Sequence, residues 1–169
     1  SLSPPFGYEL CVRRLRKEES DKFDLSAWRV AGVGAETIRP EPLTQFAEML
    51  APSNFDKNAF LACYGMAECS LAVSLAPLAQ GLEVDCVDGE HLAEHQEALP
   101  VNGGNGKSAV RSNHFVNCGV PLPDYEVEVR DKHGRALAER CCGTLFVRGP
   151  SVMSGYFGDP EATQQVLSP

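Results

Sequence analysis

The stretch AFLACYGMAECS, residues 59–70, decides the fold class because an apolar run ends here in a tight turn. Its first part, AFLACYG (59–65), is nearly all apolar, which is typical of a β-strand covered on both faces. The following run, AECSLAVSLAPL, predicts a helix from about residue 67 to residue 76. Glu68 is the only charged residue in the quoted stretch, and it lies where the predicted strand gives way to the predicted helix.

A second predicted strand and helix precede this stretch. LSAWRVAGVG (25–34) contains the β-formers Trp28, Val30 and Val33 and ends in glycine. RPEPLTQFAEMLA (39–51) predicts a helix, with proline in its first turn and its apolar residues on one face. A β–α–β order implies parallel strands joined by a right-handed crossover. The turns after the two strands then share the carboxyl edge of the sheet, where α/β proteins bind ligands.

The chain as a whole divides into an α/β part and a β-rich part. Residues 6–20 predict a short helix, and GLEVDCVD (81–88) alternates like a half-exposed strand before the short polar helix that begins at residue 89. YEVEVRD and GTLFVRGPSVMSGYF predict β-structure on either side of a turn at Gly134. We therefore predict an α/β fold in which part of a parallel sheet flanked by helices precedes a small antiparallel β subdomain, a partial barrel.

The predicted boundary between the halves is the glycine-rich stretch VNGGNGKSAVRSN. It divides the chain into an α/β subdomain (1–100), a linker loop (101–113) and a β-rich subdomain (114–169). The chain has no initial Met, and a helix-like pattern begins near its end and then stops. We expect it to be a piece of a longer protein, with the second subdomain truncated at its C-terminal end.

Composition excludes several classes of protein. The hydrophobic share of 43% permits a core, while the net charge of −8 and the acidic pI near 5.0 disfavour nucleic-acid binding. No apolar run approaches the roughly 18 residues of a membrane span, and no signal peptide is visible. Seven cysteines without a CxxC pair indicate reduced thiols and a cytoplasmic location.

Several motif-like features have plainer interpretations. GGNGKS (103–108) lacks the spacing, the preceding strand and the following helix of a phosphate loop, so a flexible linker is favoured. His91 and His95 have helical i, i+4 spacing but no third metal ligand nearby, which favours a solvated polar face. Neither the serines after Glu68 nor the cysteines beside it have a neighbouring base, so no nucleophile is indicated.

Two interpretations of Glu68 stay open from the residues alone. As an acidic residue in a first helical turn it could simply complement the helix dipole. Alternatively, its carboxylate follows an aromatic residue and a tight apolar turn, and a second glycine turn (Gly34, Ala35 and Glu36) ends the neighbouring strand. A hard carboxylate beside flat apolar surface suits a magnesium-bound nucleotide with a stacked base.

Three motifs, in order along nearly the whole chain, resemble those of the adenylate-forming enzymes. YGMAE resembles the tyrosine–glycine–x–threonine–glutamate motif, and GTLFVRGPSVMSGYF resembles a later strand motif of that superfamily. The region 24–52 is similar to the one around the adenine-contacting glycine–alanine turn, and VNCGVPLPDYEVEVRD to the strand pair between the other two motifs. Alanine before the glutamate, a Trp–Arg–Val strand and FGYELCVRR make the fatty acyl-AMP ligases the most similar branch.

The resemblance implies that ATP and a fatty acid form an acyl-adenylate and pyrophosphate, and that the acyl group passes to the phosphopantetheine thiol of an acyl carrier protein. It implies that Glu68 holds Mg²⁺ at the phosphates and that Tyr64 stacks on adenine. It places Gly34, Ala35 and Glu36 along the adenine edge, chiefly through their backbone, and Gly65 and Met66 between nucleotide and acyl pocket. Ala67 belongs to the same turn but lacks the hydroxyl that many relatives offer to phosphate. The motif at 143–156 is interpreted as structural, and Thr144 replaces its usual glutamate.

Other motifs of the family are missing from the sequence. They are the phosphate loop, the glycine–aspartate–leucine motif and the catalytic lysine, so we expect the isolated chain to be inactive and to self-associate through uncovered apolar surface. Strictly monomeric light scattering would contradict the second expectation. An acyl-CoA synthetase fragment and a non-catalytic module that binds a nucleotide or a protein partner are the alternatives.

Overall fold

The computed structural model of the chain describes residues 1–16, 21–101 and 111–167. The predicted GGNGKS linker (103–108) and the end of the first predicted helix lie outside these residues. In chain order, the helices and strands are β1 (Leu2–Ser3), α1 (Pro5–Arg14), β2 (Ala31–Val33), α2 (Pro40–Leu50), β3 (Phe60–Gly65), β4 (Ala72–Leu75), β5 (Val84–Asp88), α3 (Gly89–His95), β6 (Ser112–Val116), β7 (Val120–Pro121), β8 (Glu126–Arg130), β9 (Thr144–Arg148) and α4 (Pro160–Val166).

The main sheet has the strand order β1-β2-β3-β4-β7. Strands β1, β2 and β3 are parallel, and Ala31 of β2 pairs with Phe60 of β3. Helix α2 connects β2 to β3, which confirms the predicted β–α–β unit and places the ends of both strands at one edge of the sheet. Strands β4 and β7 continue the sheet in antiparallel fashion.

The core lies between the parallel strands and helices α1 and α2, which pack against each other. Helix α2 begins with prolines, whose fixed φ suits a first turn, and buries the face that carries its apolar residues. Aromatic rings from both helices, from β3 and from the loops meet mostly edge-to-face at the centre of this core. We call them the aromatic cluster: Tyr8, Trp28, Phe46, Phe55 and Phe60.

Tyr8 should make the stability of the chain depend on alkaline pH. Its hydroxyl donates a 2.8 Å hydrogen bond to the carbonyl oxygen of Gly32, and burial, followed by the nearby thiols Cys11 and Cys63, raises the pKa of Tyr8 to about 12. Because the pKa in the folded state lies above the unfolded value of 10.0, the contribution is complete below pH 10 and is lost towards pH 12. We expect the free energy of unfolding to fall by about 2 kcal/mol over this interval relative to Tyr8→Phe. Urea denaturation of both chains at several pH values measures the difference, and parallel pH profiles would contradict it.

The predicted helix at about 67–76 is wrong. Residues Ala67–Cys69 form one 3-10 turn, Ser70 has a left-handed φ of 64°, and the chain then returns as β4 beside β3. A short apolar run such as LAVSLA fits both periodicities, and pairing with the edge of β3 decides for the strand. Val73, a β-branched residue, is fully buried in this strand.

The predicted strand at 25–34 is shorter than expected, since only Ala31–Val33 pair in the sheet. The preceding residues form a turn in which Trp28 donates its indole N–H to the carbonyl of Val30, 2.7 Å away. Trp28 therefore packs in the aromatic cluster and does not pair in a strand, although tryptophan has a high β propensity.

Two small antiparallel sheets follow the main one, as the predicted fold class requires. Strand β5 pairs with β6, and β8 pairs with β9 in the register Val127–Val147. The β5–β6 pair connects residues on both sides of the predicted linker, and β7 joins the main sheet. The division into subdomains and the partial barrel stay predictions.

Candidate functional site

The two predicted corners lie side by side at the carboxyl edge of the parallel strands. Gly34 follows β2, and a Cβ atom built on it would stand 2.6 Å from the carbonyl oxygen of Cys63 in β3. The Cys63 thiol also approaches the carbonyl oxygen of Val33 at 3.3 Å. The backbone of the 34–36 corner therefore contacts the strand that carries the 64–68 corner, and only glycine permits this approach.

In the first corner, the backbone and the side chains have different roles. Ala35 adopts a left-handed φ of 69°, which turns the chain out of β2. The Glu36 carboxylate accepts a 3.0 Å hydrogen bond from the backbone N–H of Phe6, at the start of α1. This hydrogen bond ties the Glu36 side chain to α1, and the ligand role of the 34–36 corner stays a prediction.

Ala35→Gly should stabilise the chain. A left-handed alanine costs roughly 1–2 kcal/mol, and the added entropy of an unfolded glycine offsets about half of that gain. We expect the free energy of unfolding to rise by about 0.5–1 kcal/mol in chemical denaturation. Ala62→Gly is the matched control, because Ala62 is fully buried in β3 and the same change there should destabilise. Destabilisation by Ala35→Gly would contradict the prediction.

The second corner is a bulge followed by a tight reversal. The strand register shifts between Tyr64 and Gly65, and a Cβ atom on Gly65 would lie 1.7 Å from the carbonyl oxygen of Leu71. The 3-10 turn then leaves Glu68 partly exposed, and the next residue, Cys69, is buried. Because β4 replaces the predicted helix, the interpretation of Glu68 as a helix-dipole residue no longer has a long helix to support it.

Tyr64 and Glu68 present a ring and a carboxylate on this corner. Tyr64 is 38% exposed. Burial of the remainder, followed by Cys69 and Glu68, raises the pKa of the Tyr64 hydroxyl. The pKa of the Glu68 carboxyl is lowered, first by the hydrogen bond from the Tyr156 hydroxyl and then by its own backbone amide. Glu68 is therefore an ionised, accessible carboxylate near neutral pH.

A contact that the sequence analysis missed reaches Glu68 from the later motif. The Tyr156 hydroxyl donates to Glu68 Oε1 at 2.5 Å, and the Met153 N–H donates to the Glu68 carbonyl at 2.7 Å. The sequence places these residues 88 and 85 positions apart, so spacing offered no signal. The resemblance covered the GYF triplet but assigned its motif only a structural role.

An open cleft of about 890 Å³ adjoins only part of the predicted site. Met66, Glu68 and Cys69 form one wall, and β8, β9 and the end of α4 form the others. Tyr64 and the 34–36 corner lie outside this lining. The two corners therefore contact each other through backbone atoms. The cleft is lined by only one of them, through Met66, Glu68 and Cys69 of the second corner.

The residues fit a magnesium ion that is shared with a bound phosphate. Within the described ranges, no group of three or more acidic, histidine or cysteine side chains could hold a metal by itself. Mg²⁺ commonly binds through one or two carboxylates together with substrate phosphates and water. The Tyr156 hydrogen bond occupies one side of the Glu68 carboxylate and leaves other lone pairs for a cation.

The predicted histidine pair lies on the polar helix α3. The His91 and His95 rings stack 4.3 Å apart, and His91 Nε2 lies 3.4 Å from a Glu97 carboxylate oxygen.

All seven cysteines are free, and burial raises the pKa of Cys63, Cys69 and Cys118, which makes these thiols weak nucleophiles. No helix in the described ranges is both long and apolar enough to cross a bilayer.

Two similar proteins are both named as ligases or synthetases that act on acyl groups. The chain is 47% identical over 99% of its length to a Caulobacter vibrioides protein named "Putative acyl-CoA synthetase", and 31% identical over 99% of its length to the medium-chain-fatty-acid–[acyl-carrier-protein] ligase JamA of Moorena producens. It covers 29% and 28% of these proteins, so it spans less than a third of the curated relatives that it matches.

A solved structure has the same fold as this chain. It comes from a study of fatty acyl-adenylate ligases from E. coli and L. pneumophila and superposes with a TM-score of 0.89 at 45% identity, covering 98% of this chain and 29% of that chain. The predicted fold class is thereby confirmed. The family model for AMP-binding enzymes matches residues 2–157. The chain therefore belongs to the AMP-binding enzyme family, the adenylate-forming ligases.

Proposed function

We propose that this chain is part of an ATP-dependent fatty acyl-AMP ligase. The complete protein joins a fatty acid to the α-phosphate of ATP, releases pyrophosphate and delivers the acyl group to the phosphopantetheine thiol of an acyl carrier protein. The observation that carries the proposal is the partly exposed, ionised Glu68 at a corner that adjoins the 34–36 corner. The JamA ligase and the fatty acyl-adenylate ligases support the choice of substrate.

The proposed chemistry is an in-line displacement at phosphorus. A carboxylate oxygen of the fatty acid forms the new P–O bond, while the bond from the α-phosphorus to the bridging oxygen breaks and pyrophosphate leaves. Magnesium, when bound, neutralises the phosphate charge that would otherwise repel the attacking carboxylate. Glu68 would hold that ion, and Tyr64 would stack on the adenine ring. Gly34, Ala35 and Glu36 would line the edge of that ring with backbone groups, and Gly65, Met66 and Ala67 would form the turn between nucleotide and acyl chain.

A two-stage assay of the full-length protein tests the proposal. The first stage measures pyrophosphate release from ATP with saturated fatty acids of increasing length, and mass spectrometry identifies the acyl-adenylate. The second stage offers either an acyl carrier protein bearing phosphopantetheine or free coenzyme A. Acyl transfer to the carrier protein is expected, and ATP binding without turnover of any fatty acid would instead favour a non-catalytic module.

The second candidate function is acyl-CoA synthesis, which the name of the Caulobacter relative favours. It shares the adenylation step and differs only in the acceptor thiol. Efficient thioester formation with free coenzyme A, and none with the carrier protein, would establish it in place of the first proposal.

We also propose that the isolated chain is inactive and self-associates. Apolar side chains are exposed around α1, including Leu2, Phe6 and Phe23, and two of them, Leu2 and Phe23, border an open apolar groove of about 540 Å³. Contiguous apolar surface of this kind promotes association. Light scattering of the 169-residue chain should show species larger than a monomer.

A further inference from the structure

One segment near the end of the chain is hydrogen-bonded to the turn that carries Glu68. We call residues 151–156 the strap. Ser151 Oγ donates a 2.6 Å hydrogen bond to the Cys69 carbonyl, and the Met153 N–H donates to the Glu68 carbonyl at 2.7 Å. The Tyr156 hydroxyl completes the set with its 2.5 Å hydrogen bond to Glu68 Oε1. The strap therefore holds both the backbone and the side chain of this turn.

The strap is itself anchored at both ends. Near its start, the Tyr125 hydroxyl shares a hydrogen bond with Ser151 Oγ. At its end, the Tyr156 N–H donates to Thr163 Oγ1 at 2.8 Å, and Thr163 lies in α4. The preceding Gly155 packs closely on Thr163, since a Cβ atom there would come within 2.9 Å of that side chain. These contacts with α4 fix the backbone of Tyr156 independently of the hydrogen bond between its hydroxyl and Glu68.

The hydrogen bond from Tyr156 has a clear consequence for a partly exposed carboxylate. A glutamate on a surface turn samples several rotamers, and fixing one of them costs side-chain entropy when a ligand binds. A hydrogen bond to one carboxylate oxygen selects a rotamer in advance and leaves the remaining lone pairs free. Hydrogen bonds that a metal ligand receives from residues outside the metal's coordination shell orient that ligand. Their loss commonly weakens metal binding by about 10–100-fold.

We propose that Tyr156 is a positioning residue, whose hydroxyl holds the Glu68 carboxylate in the orientation that receives the metal–nucleotide complex. The inference rests on the proposed function, because it assigns Glu68 to the bound metal. It gives the later motif a part in the site beyond packing.

The test uses the full-length protein and a readout that does not require turnover. Mn²⁺, a paramagnetic substitute for Mg²⁺, is titrated with α,β-methylene-ATP and followed by electron paramagnetic resonance. Tyr156→Phe keeps the ring and removes only the hydroxyl, and it should weaken binding of the Mn²⁺–nucleotide complex about tenfold. Binding of the nucleotide without metal should change less than twofold. The magnesium concentration for half-maximal pyrophosphate release should rise in the same proportion as the Mn²⁺ dissociation constant.

Tyr8→Phe is the matched control. It also removes one tyrosine hydroxyl that donates a hydrogen bond, but its partner is the Gly32 carbonyl in the core. It should lower the melting temperature without changing the affinity for the Mn²⁺–nucleotide complex. Unchanged affinity in Tyr156→Phe, or an equal loss in both variants, would overturn the inference.

The outcomes also separate this inference from the proposed function. If the wild-type protein binds the Mn²⁺–nucleotide complex but adenylates no fatty acid, the proposed function fails and the affinity ratio still decides the role of Tyr156. If the wild-type protein binds no such complex, the positioning role is overturned as well.

Discussion

Glu68→Gln in the full-length protein should lower the rate of pyrophosphate release about 100-fold or more. Glutamine has nearly the same shape and can still accept the hydrogen bond from Tyr156, so the turn should keep its structure. It lacks the negative charge that would hold magnesium at the phosphates, and catalysis of an anion–anion reaction depends on that ion. Loss of one such electrostatic contact commonly costs two to three orders of magnitude in rate.

Two further variants make this result specific. Glu68→Asp keeps the charge but shortens its reach, so it should retain more activity than glutamine and respond to added magnesium. Glu48→Gln removes one carboxylate from the exposed side of α2 and should leave the rate within twofold of the wild type. A rate for Glu68→Gln within threefold of the wild type would exclude Glu68 as the metal ligand.

The sequence predicts the parallel part of the sheet because strong local signals agree there. The 59–65 run is nearly all apolar, has the length of a strand and ends in glycine, and the 39–51 run has helical periodicity after a proline start. The crossover rule then places both strand ends at one edge without any further information. The adjacency of Gly34 to Cys63 follows from that rule, and the structure agrees with it.

Residues 67–76 could not be predicted in the same way. Ala72–Leu75 is too short for its periodicity to separate strand from helix, and its neighbours in the sheet, β3 and β7, decide the outcome. The helix prediction had also supplied the dipole interpretation of Glu68, so one wrong element affected how the site was interpreted.

The contact between Tyr156 and Glu68 is beyond any local pattern. It depends on a strap that returns across the turn after two small sheets have formed, and neither residue has a neighbour in sequence that signals the other. Motif resemblance located both residues but did not reveal that they touch. The site roles of Gly34, Ala35, Glu36 and Tyr64 likewise stay predictions until a nucleotide complex is measured.

Phe46→Ala should cause the largest loss of stability in the chain. The Phe46 ring is 2% exposed, and its centroid lies 5.1 Å from that of Tyr8, 5.2 Å from that of Phe55 and 6.2 Å from that of Trp28. Truncation removes the ring at the centre of the aromatic cluster and leaves a cavity that rigid neighbours fill poorly. We expect the free energy of unfolding to fall by about 3–5 kcal/mol.

Trp28 is the only tryptophan of the chain, so its fluorescence reports denaturation from inside the cluster. Phe157→Ala is the control, because that ring is fully exposed and its loss should change stability by about 0.5 kcal/mol or less. Should Phe46→Ala be unfolded without denaturant, Phe46→Leu, with a smaller cavity, should show a loss of about 1–2 kcal/mol. Since α2 joins the two strands whose ends form the corners, stability near the wild-type value in both Phe46 variants would mean that this core does not support the site.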